Sequence, residues 1–483
     1  MASALINSLK EIMTLVPRPA VILTLLALPL VCSASVKEPP LPVDDVRLFA
    51  EIFGGIKNYY VDEVSDKKLI ENAIKGMVSG LDPHSSFLDA KGYKDLQEST
   101  AGEFGGLGIE ITKDVQGVRV VSPIDDTPAA RAGVRAGDII IKIDDKVSAD
   151  RSLDENVKLM RGKPGTPITL TIARKGEIKP VVIHLVRAII KIQSVKFKAL
   201  DHHVGYIRIS QFQGKTTADV AKALTQLSRD KDLKGLVLDL RNNPGGLLNA
   251  AVGVSAAFLK DGVPVVSTKG RDKASERVFK ASYQDYAVGD DTSDVLKGLP
   301  LLIKTVPIVV LVNGASASAS EIVSGALQDH KRATLMGTRT FGKGSVQTII
   351  PLPIKTGETL GLKMTTARYY TPLGRSIQAR GITPDILVDD TPEGNYPSFA
   401  IREADLSGHI DAETSETKSS EKDALKEEEN EMMPSLRYTF GDKSDFPLTQ
   451  AVNFLVGKPV TTHADVLAAK KAKKTSQTTP DKK

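Results

Sequence analysis

The chain has 483 residues, 41% of them hydrophobic and 25% charged, with one cysteine and no tryptophan. That length accommodates several domains, and the ordinary composition excludes a wholly disordered, collagen-like or multi-span membrane chain. The formal net charge of +5 belongs to the lysines between Lys470 and Lys483, so it points to a solvated tail and not to a nucleic-acid-reading face. The lone Cys32 excludes a disulfide framework and a cysteine-built zinc site.

Lys10 and Arg18 precede the apolar run Ala20–Val31, which is too short for a comfortable bilayer span but suits a signal-peptide core. Small residues at Cys32-Ser33-Ala34 offer a cleavage site, so residues 1–34 are expected to be an export signal and the protein periplasmic. Without cleavage, the same segment would keep it at the inner membrane. A proline-rich linker (Lys37–Pro42) leads into two helical patterns, Asp45–Tyr60 and Lys67–Leu81, with apolar residues at helical spacing. They place an N-terminal helical region over 42–100, with a further short helix around Tyr93–Gln97.

Residues 104–187 alternate as short strands (Gly108–Ile111, Val118–Val121, Asp138–Ile143, Ile168–Ile172) around one helix, Ser152–Arg161. From 195 to 390 the pattern becomes strand–helix alternation, which predicts a layered α/β domain with a buried sheet. Its strands are Val204–Ile209, Gly235–Leu240, Ile308–Val312 and Leu362–Tyr370. Its helices are Thr217–Leu227, Leu247–Leu259 and Ser320–Asp329. Order is expected to fade after Asp390. Within the C-terminal region 391–460, residues 411–433 read as an acidic linker and Asp445–Val456 as a last docked helix, ahead of a lysine-rich tail at 461–483.

Three segments sit where a strand runs into a turn. Arg241-Asn-Asn-Pro-Gly-Gly246 offers backbone N–H groups able to approach a ligand. Asn313-Gly-Ala-Ser-Ala-Ser-Ala-Ser-Glu321 places hydroxyls at a helix N-terminus, whose free donors suit a developing oxyanion. Ser320 there also reads as an N-cap. Phe341-Gly-Lys-Gly-Ser-Val-Gln347 holds a lysine between glycines and apolar neighbours; loss of hydration lowers an amine's pKa and readies it to take a serine proton. Gly337–Lys343 also matches the start of a phosphate-binding loop, but Gly344 replaces the required Ser or Thr, and a strand follows where a helix should. No G-x-S-x-G elbow and no H-E-x-x-H occurs. A serine–lysine pair fits this inventory best, with no metal and no cofactor.

Taken together, the chain resembles the carboxy-terminal processing (tail-specific) proteases. Seven segments carry the likeness in order: Gly80-Leu-Asp-Pro-His-Ser-Ser-Phe87, Phe104-Gly-Gly-Leu-Gly-Ile109, Ala132-Gly-Val-Arg-Ala-Gly-Asp138, Arg241–Gly246, Ser316–Glu321, Phe341–Gly344 and Tyr369-Tyr-Thr-Pro-Leu-Gly-Arg-Ser-Ile377. The resemblance implies a multidomain α/β protein with a layered core like that of ClpP and the crotonases and an inserted PDZ domain. It implies Ser318 as nucleophile, Lys343 as general base and Gln347 as its assistant. Gly245 or Gly246, with Ala319, would supply the oxyanion N–H groups. In the PDZ unit, the backbone of Leu107, Gly108 and Ile109 would receive a substrate's terminal carboxylate. It leaves room for an adaptor lipoprotein and for a homodimer through the N-terminal helices. Rival readings are a catalytically idle peptide-binding scaffold and a CoA-ester enzyme of the same fold.

Overall fold

The computed structural model describes residues 42–469 except 125, 192, 288–292, 355–356, 396–400 and 413–439. The expected signal segment, most of the acidic linker and the end of the lysine-rich tail lie outside the described residues. The chain divides into two units at Ile70/Glu71. In the first, the helix Val43–Tyr59 carries Val46, Phe49, Ile52 and Ile56 at helical spacing, all exposed. The next helix, Asp66–Ser79, begins at the end of this unit.

The second unit holds two sheet systems. The central one has six strands in the order Val195–Leu200, Val204–Ile209, Gly235–Asp239, Ile308–Val312, Thr334–Gly337 and Ile386–Leu387. The first pair is antiparallel and all the others are parallel. Every residue of Gly235–Asp239 and of Ile308–Val312 is buried. Successive side chains take opposite faces: Leu236, Leu238, Ile308, Val310 and Val312 join one apolar cluster, and Val237, Val309 and Leu311 another. Helices Thr216–Leu227, Leu248–Phe258 and Ala319–Asp329 cover the first face, and Phe446–Leu455 covers the second. Coverage on both faces is why these strands read as unbroken apolar runs.

A second sheet lies beside this core. Its long strand Thr359–Tyr370 pairs with Ser345–Pro353 on one side, and with Ser86–Leu88 and Pro264–Gly270 on the other. Ser345–Pro353 is the strand expected after the lysine loop, and it runs on through Pro351 and Pro353. Proline is tolerated there because the strand lies at the sheet edge and needs no donor on its outer side.

The inserted unit is a sheet of Ile109–Asp114, Gly117–Pro123, Ile139–Ile143, Pro167–Ala173 and Val181–Val186, with Lys146–Val147 paired to its third strand. The helix Leu153–Met160 is closed by a capping box in which Ser152 Oγ accepts from Glu155 N. The strand series does not end at Ile172 as expected: Val181–Val186 follows, and Ala188–Lys191 pairs with Glu103–Gly106 to form the two-stranded stem by which the unit joins the core. Both strands follow the Pro-Lys-rich stretch 174–180, whose turn residues mask a return to alternation.

Candidate active site

The Pro-Gly-Gly turn and the serine run leave the carboxyl ends of two neighbouring parallel strands, Gly235–Asp239 and Ile308–Val312, the crevice where open α/β sheets place their ligands. The two turns are stitched together. Asn242 N donates to Asn313 Oδ1 (2.9 Å) and Asn313 Nδ2 to Asn242 Oδ1 (2.7 Å). Ser316 Oγ donates to Leu240 O (2.8 Å), Ser320 Oγ to Asn243 O (2.9 Å) and Ala317 N to Asn243 O (3.0 Å). Ser316 and Ser320 are therefore structural, and the helix begins at Ala319 with Ser318 as its flanking residue. Ser320 is not the cap it was read to be.

Ser318 has φ +54° and ψ −112°, a conformation that a residue with a Cβ rarely adopts and that is often kept at functional turns. The turn is strained without carrying the G-x-S-x-G pattern of a nucleophile elbow. A Cβ on Gly245 would lie 2.8 Å from Ser318 Cβ and 2.9 Å from Ala319 N, so only glycine fits against the serine. Gly245 N donates to Asn243 Oδ1 (2.9 Å). Among the described residues, Gly246 N and Ala319 N have no hydrogen-bond acceptor. Of the two glycines in the turn, Gly246 is thus the one with an uncommitted N–H.

Glu321 holds the serine and lysine segments together. Fully buried, it accepts Ser318 N (2.8 Å) and Lys343 N (2.9 Å) on one oxygen, and Thr340 Oγ1 (2.6 Å) and Gly342 N (2.7 Å) on the other. Burial pushes its carboxyl up to about 7, against the pull of these four donors. The backbones of Ser318 and Lys343 are thereby one carboxylate oxygen apart. No hydrogen bond joins Ser318 Oγ to Lys343 Nζ, or Gln347 to Lys343, among the described residues; Gln347 Nε2 donates to Ser345 Oγ (3.0 Å) and Thr365 Oγ1 (3.1 Å).

Lys343 is partly buried. Lost hydration first, and then the charge of Lys363, lower its amine to about 8. A Cβ on Gly344 would stand 2.3 Å from Gln378 N. The hydroxylated residue of a phosphate-binding loop therefore has no room at this position.

Beneath the Pro-Gly-Gly turn lies a fully buried Arg241. Its guanidinium donates to Asp445 Oδ1 (2.8 Å) and Oδ2 (2.7 Å) and to Asp239 Oδ1 (3.0 Å) and Oδ2 (2.8 Å). Burial works against the Asp239 charge, but Arg241 and Arg208 hold its carboxyl far below the usual range.

In the inserted unit, a cavity of about 190 Å³ is lined by Leu107, Gly108, Ile109, Ile111, Val157 and Met160, among others. Gly108 has φ +77°. Leu107 N and Gly108 N have no acceptor among the described residues.

Comparison with known proteins decides the family. The model described as peptidase family S41 matches residues 203–388, a PDZ domain matches 105–185, and the activating protease CtpB N-terminal domain matches 33–92. The carboxy-terminal-processing protease of Bartonella bacilliformis is 52% identical over 368 residues, 75% of this chain and 80% of that one. The chain belongs to the S41 carboxy-terminal-processing proteases. It is therefore a serine-type peptidase with a PDZ domain, as the motifs implied, and neither an idle scaffold nor a CoA-ester enzyme. A Staphylococcus haemolyticus protein named "Probable CtpA-like serine protease" is 36% identical over 78% of this chain and 70% of its own length. The solved photosystem II D1 C-terminal processing protease is 32% identical, covering 70% of this chain and 92% of that one, with a TM-score of 0.39.

Several residues of this candidate site escaped sequence reasoning. Glu321 entered the sequence reading only as the end of the serine run, although a carboxylate on an otherwise buried helix was a signal. Asn243 entered the sequence reading only as a member of the Arg241–Gly246 turn, with no role of its own. Asp445 and Glu403 are distant in sequence, and no local pattern marks them.

Proposed function

We propose that this S41 peptidase is an exported endopeptidase that takes substrates by their C-terminal tails and cleaves them with a Ser318–Lys343 dyad. The observation that carries the reading is Glu321, which ties the strained serine and the lysine backbone to one carboxylate. A neutral Lys343 amine accepts the Ser318 Oγ proton as Oγ attacks a peptide carbonyl. The developing oxyanion is met by Gly246 N–H and Ala319 N–H. The ammonium then returns its proton to the departing amine, and water hydrolyses the acyl-enzyme by the same route. Gln347 orients the amine once it turns toward the serine.

The PDZ groove supports tail recognition. The uncommitted N–H groups of Leu107 and Gly108 stand at its mouth, where a terminal carboxylate is read by backbone, and Ile109 begins the strand that an extended peptide would join. The apolar lining favours an apolar last residue. Export draws on the Ala20–Val31 run, and a homodimer on the exposed apolar face of Val43–Tyr59. An adaptor lipoprotein that delivers substrates is compatible with the same scheme. Digestion of an exported proteome by the wild type and by Ser318→Ala, with mapping of new C-termini, tests the core of this reading. New termini that appear equally with both proteins refute it.

A further inference from the structure

The turn Gly80-Leu-Asp-Pro-His-Ser-Ser-Phe87 and the segment 401–412 have no part in the chemistry above, yet both reach the lysine loop. Asp82 rigidifies the turn by accepting His84 N (2.8 Å), Ser85 N (2.9 Å) and Ser85 Oγ (2.6 Å). Burial opposes the charge on Asp82, but these donors hold its carboxyl below the usual range. From there, contacts run to both sides of Lys343.

On one side, Thr365 Oγ1 donates to Asp82 Oδ1 (3.1 Å) and accepts from Gln347 Nε2 (3.1 Å). On the other, His84 Nε2 meets Glu403 Oε2 (2.8 Å) and Oε1 (3.0 Å). Glu403 is fully buried. Its Oε1 also accepts Gln378 Nε2 (3.0 Å), and Gln378 Oε1 accepts Gly344 N (2.9 Å). Glu403 N donates to Phe341 O (3.1 Å). The loop 341–344 is therefore held at four consecutive residues, by Glu403 at 341, Glu321 at 342 and 343, and Gln378 at 344.

We propose that His84 and Glu403 are positioning residues for the proton-accepting amine: the pair of a half-buried imidazole and a buried carboxylate fixes the Phe341–Gly344 backbone through Gln378, and the Glu403 carboxylate is a fixed charge facing Lys343. This rests on the serine–lysine reading. It adds two residues outside 203–388, the stretch matched to the peptidase family. A buried carboxylate with two donors is expensive to leave unpaired, so the pair resists rearrangement. Four charged groups face the amine: Lys363 from Thr359–Tyr370, Glu321 from the nucleophile's helix, Asp82 from the turn, and Glu403. The first favours the neutral amine and the three carboxylates favour the ammonium.

The charges predict a signature that a merely structural role would not give. The rate at which a serine-directed fluorophosphonate phosphonylates Ser318 Oγ in the full chain, with loss of fluoride, should rise with pH as Lys343 sheds its proton. In Glu403→Gln one ammonium-favouring charge is gone, so the midpoint moves to lower pH. The high-pH plateau falls ~10- to 100-fold from misplacement of the amine. His84→Gln keeps the carboxylate, so its plateau falls while its midpoint stays within a few tenths of a unit. Thermal melting and affinity for a PDZ tail peptide check that each variant is folded.

A wild-type midpoint in folded Glu403→Gln overturns the proposal. If that variant does not fold, a wild-type plateau in His84→Gln overturns it instead. Failure of Ser318 to react in the wild type at any pH sinks the dyad reading and this proposal with it; reaction with unchanged variants removes the positioning role alone.

Discussion

The six-stranded sheet of the peptidase core and the sheet of the PDZ domain differ in how many of their faces are covered. In the core, Gly235–Asp239 and Ile308–Val312 are buried at every residue, and their carboxyl ends open into turns fixed by buried ionic and amide groups. In the PDZ sheet, burial alternates along Pro167–Ala173 and Val181–Val186, and Val182 and Val186 face outward. Among the described residues, Ile109–Asp114 pairs only with Gly117–Pro123 and its other edge has no strand partner. A carbonyl under attack needs donors that do not reorganise, and full coverage supplies that rigidity. A peptide that adds as a strand needs an accessible edge, and Ile109–Asp114 lies at the end of its sheet. One chain thus combines a sheet buried on both faces with one buried on a single face.

Variants break or sharpen this contrast. Ser318→Ala or Lys343→Ala should cost ~10⁴-fold or more in turnover with little change in melting; cleavage within tenfold of wild type would mean that the chemistry lies elsewhere. Asp445→Ala strips Arg241 of a bidentate partner inside the core and should destabilise it by about 3–5 kcal/mol, measured by denaturant unfolding. A loss below about 1 kcal/mol would show that the buried charges do not hold the core.

Substitution of one methyl by hydroxyl compares the sheets directly. Val309→Thr buries a hydroxyl and should cost about 2 kcal/mol, whereas Val182→Thr should stay within about 0.5 kcal/mol; equal costs would erase the distinction. Gly108→Ala forces a side chain into a φ of +77° and to within 2.5 Å of Thr127 Cβ, Cγ2 and Oγ1. It should weaken binding of a tail peptide about tenfold by calorimetry, with acylation of Ser318 by a small probe unchanged. Parallel loss of both would join the two regions functionally.

The same contrast governs what the sequence made legible. Core strands and helices were readable because double coverage writes them as apolar runs, and Ile308–Val312 coincides with its sequence reading. Glycine-bearing turns were readable because their backbone demands exclude other residues, as at Gly344. The groups that hold the site were not. Glu321 serves the serine by a contact three residues long, but its partners Thr340, Gly342 and Lys343 arrive only through folding. Glu403 lies where order was expected to have faded after Asp390, and its burial is created by His84 and Gln378. The strands Val181–Val186 and Ala188–Lys191 were overlooked because alternation resumes only after the charged turn 174–180.

The ion pair between Arg241 and Asp445 also sets an order of events during biosynthesis. A nascent chain halted at residue 440 already contains the serine and the lysine, but the arginine under its Pro-Gly-Gly turn lacks half of its counter-charge. The buried arginine is therefore fully paired only once a residue 204 positions further along the chain has been made.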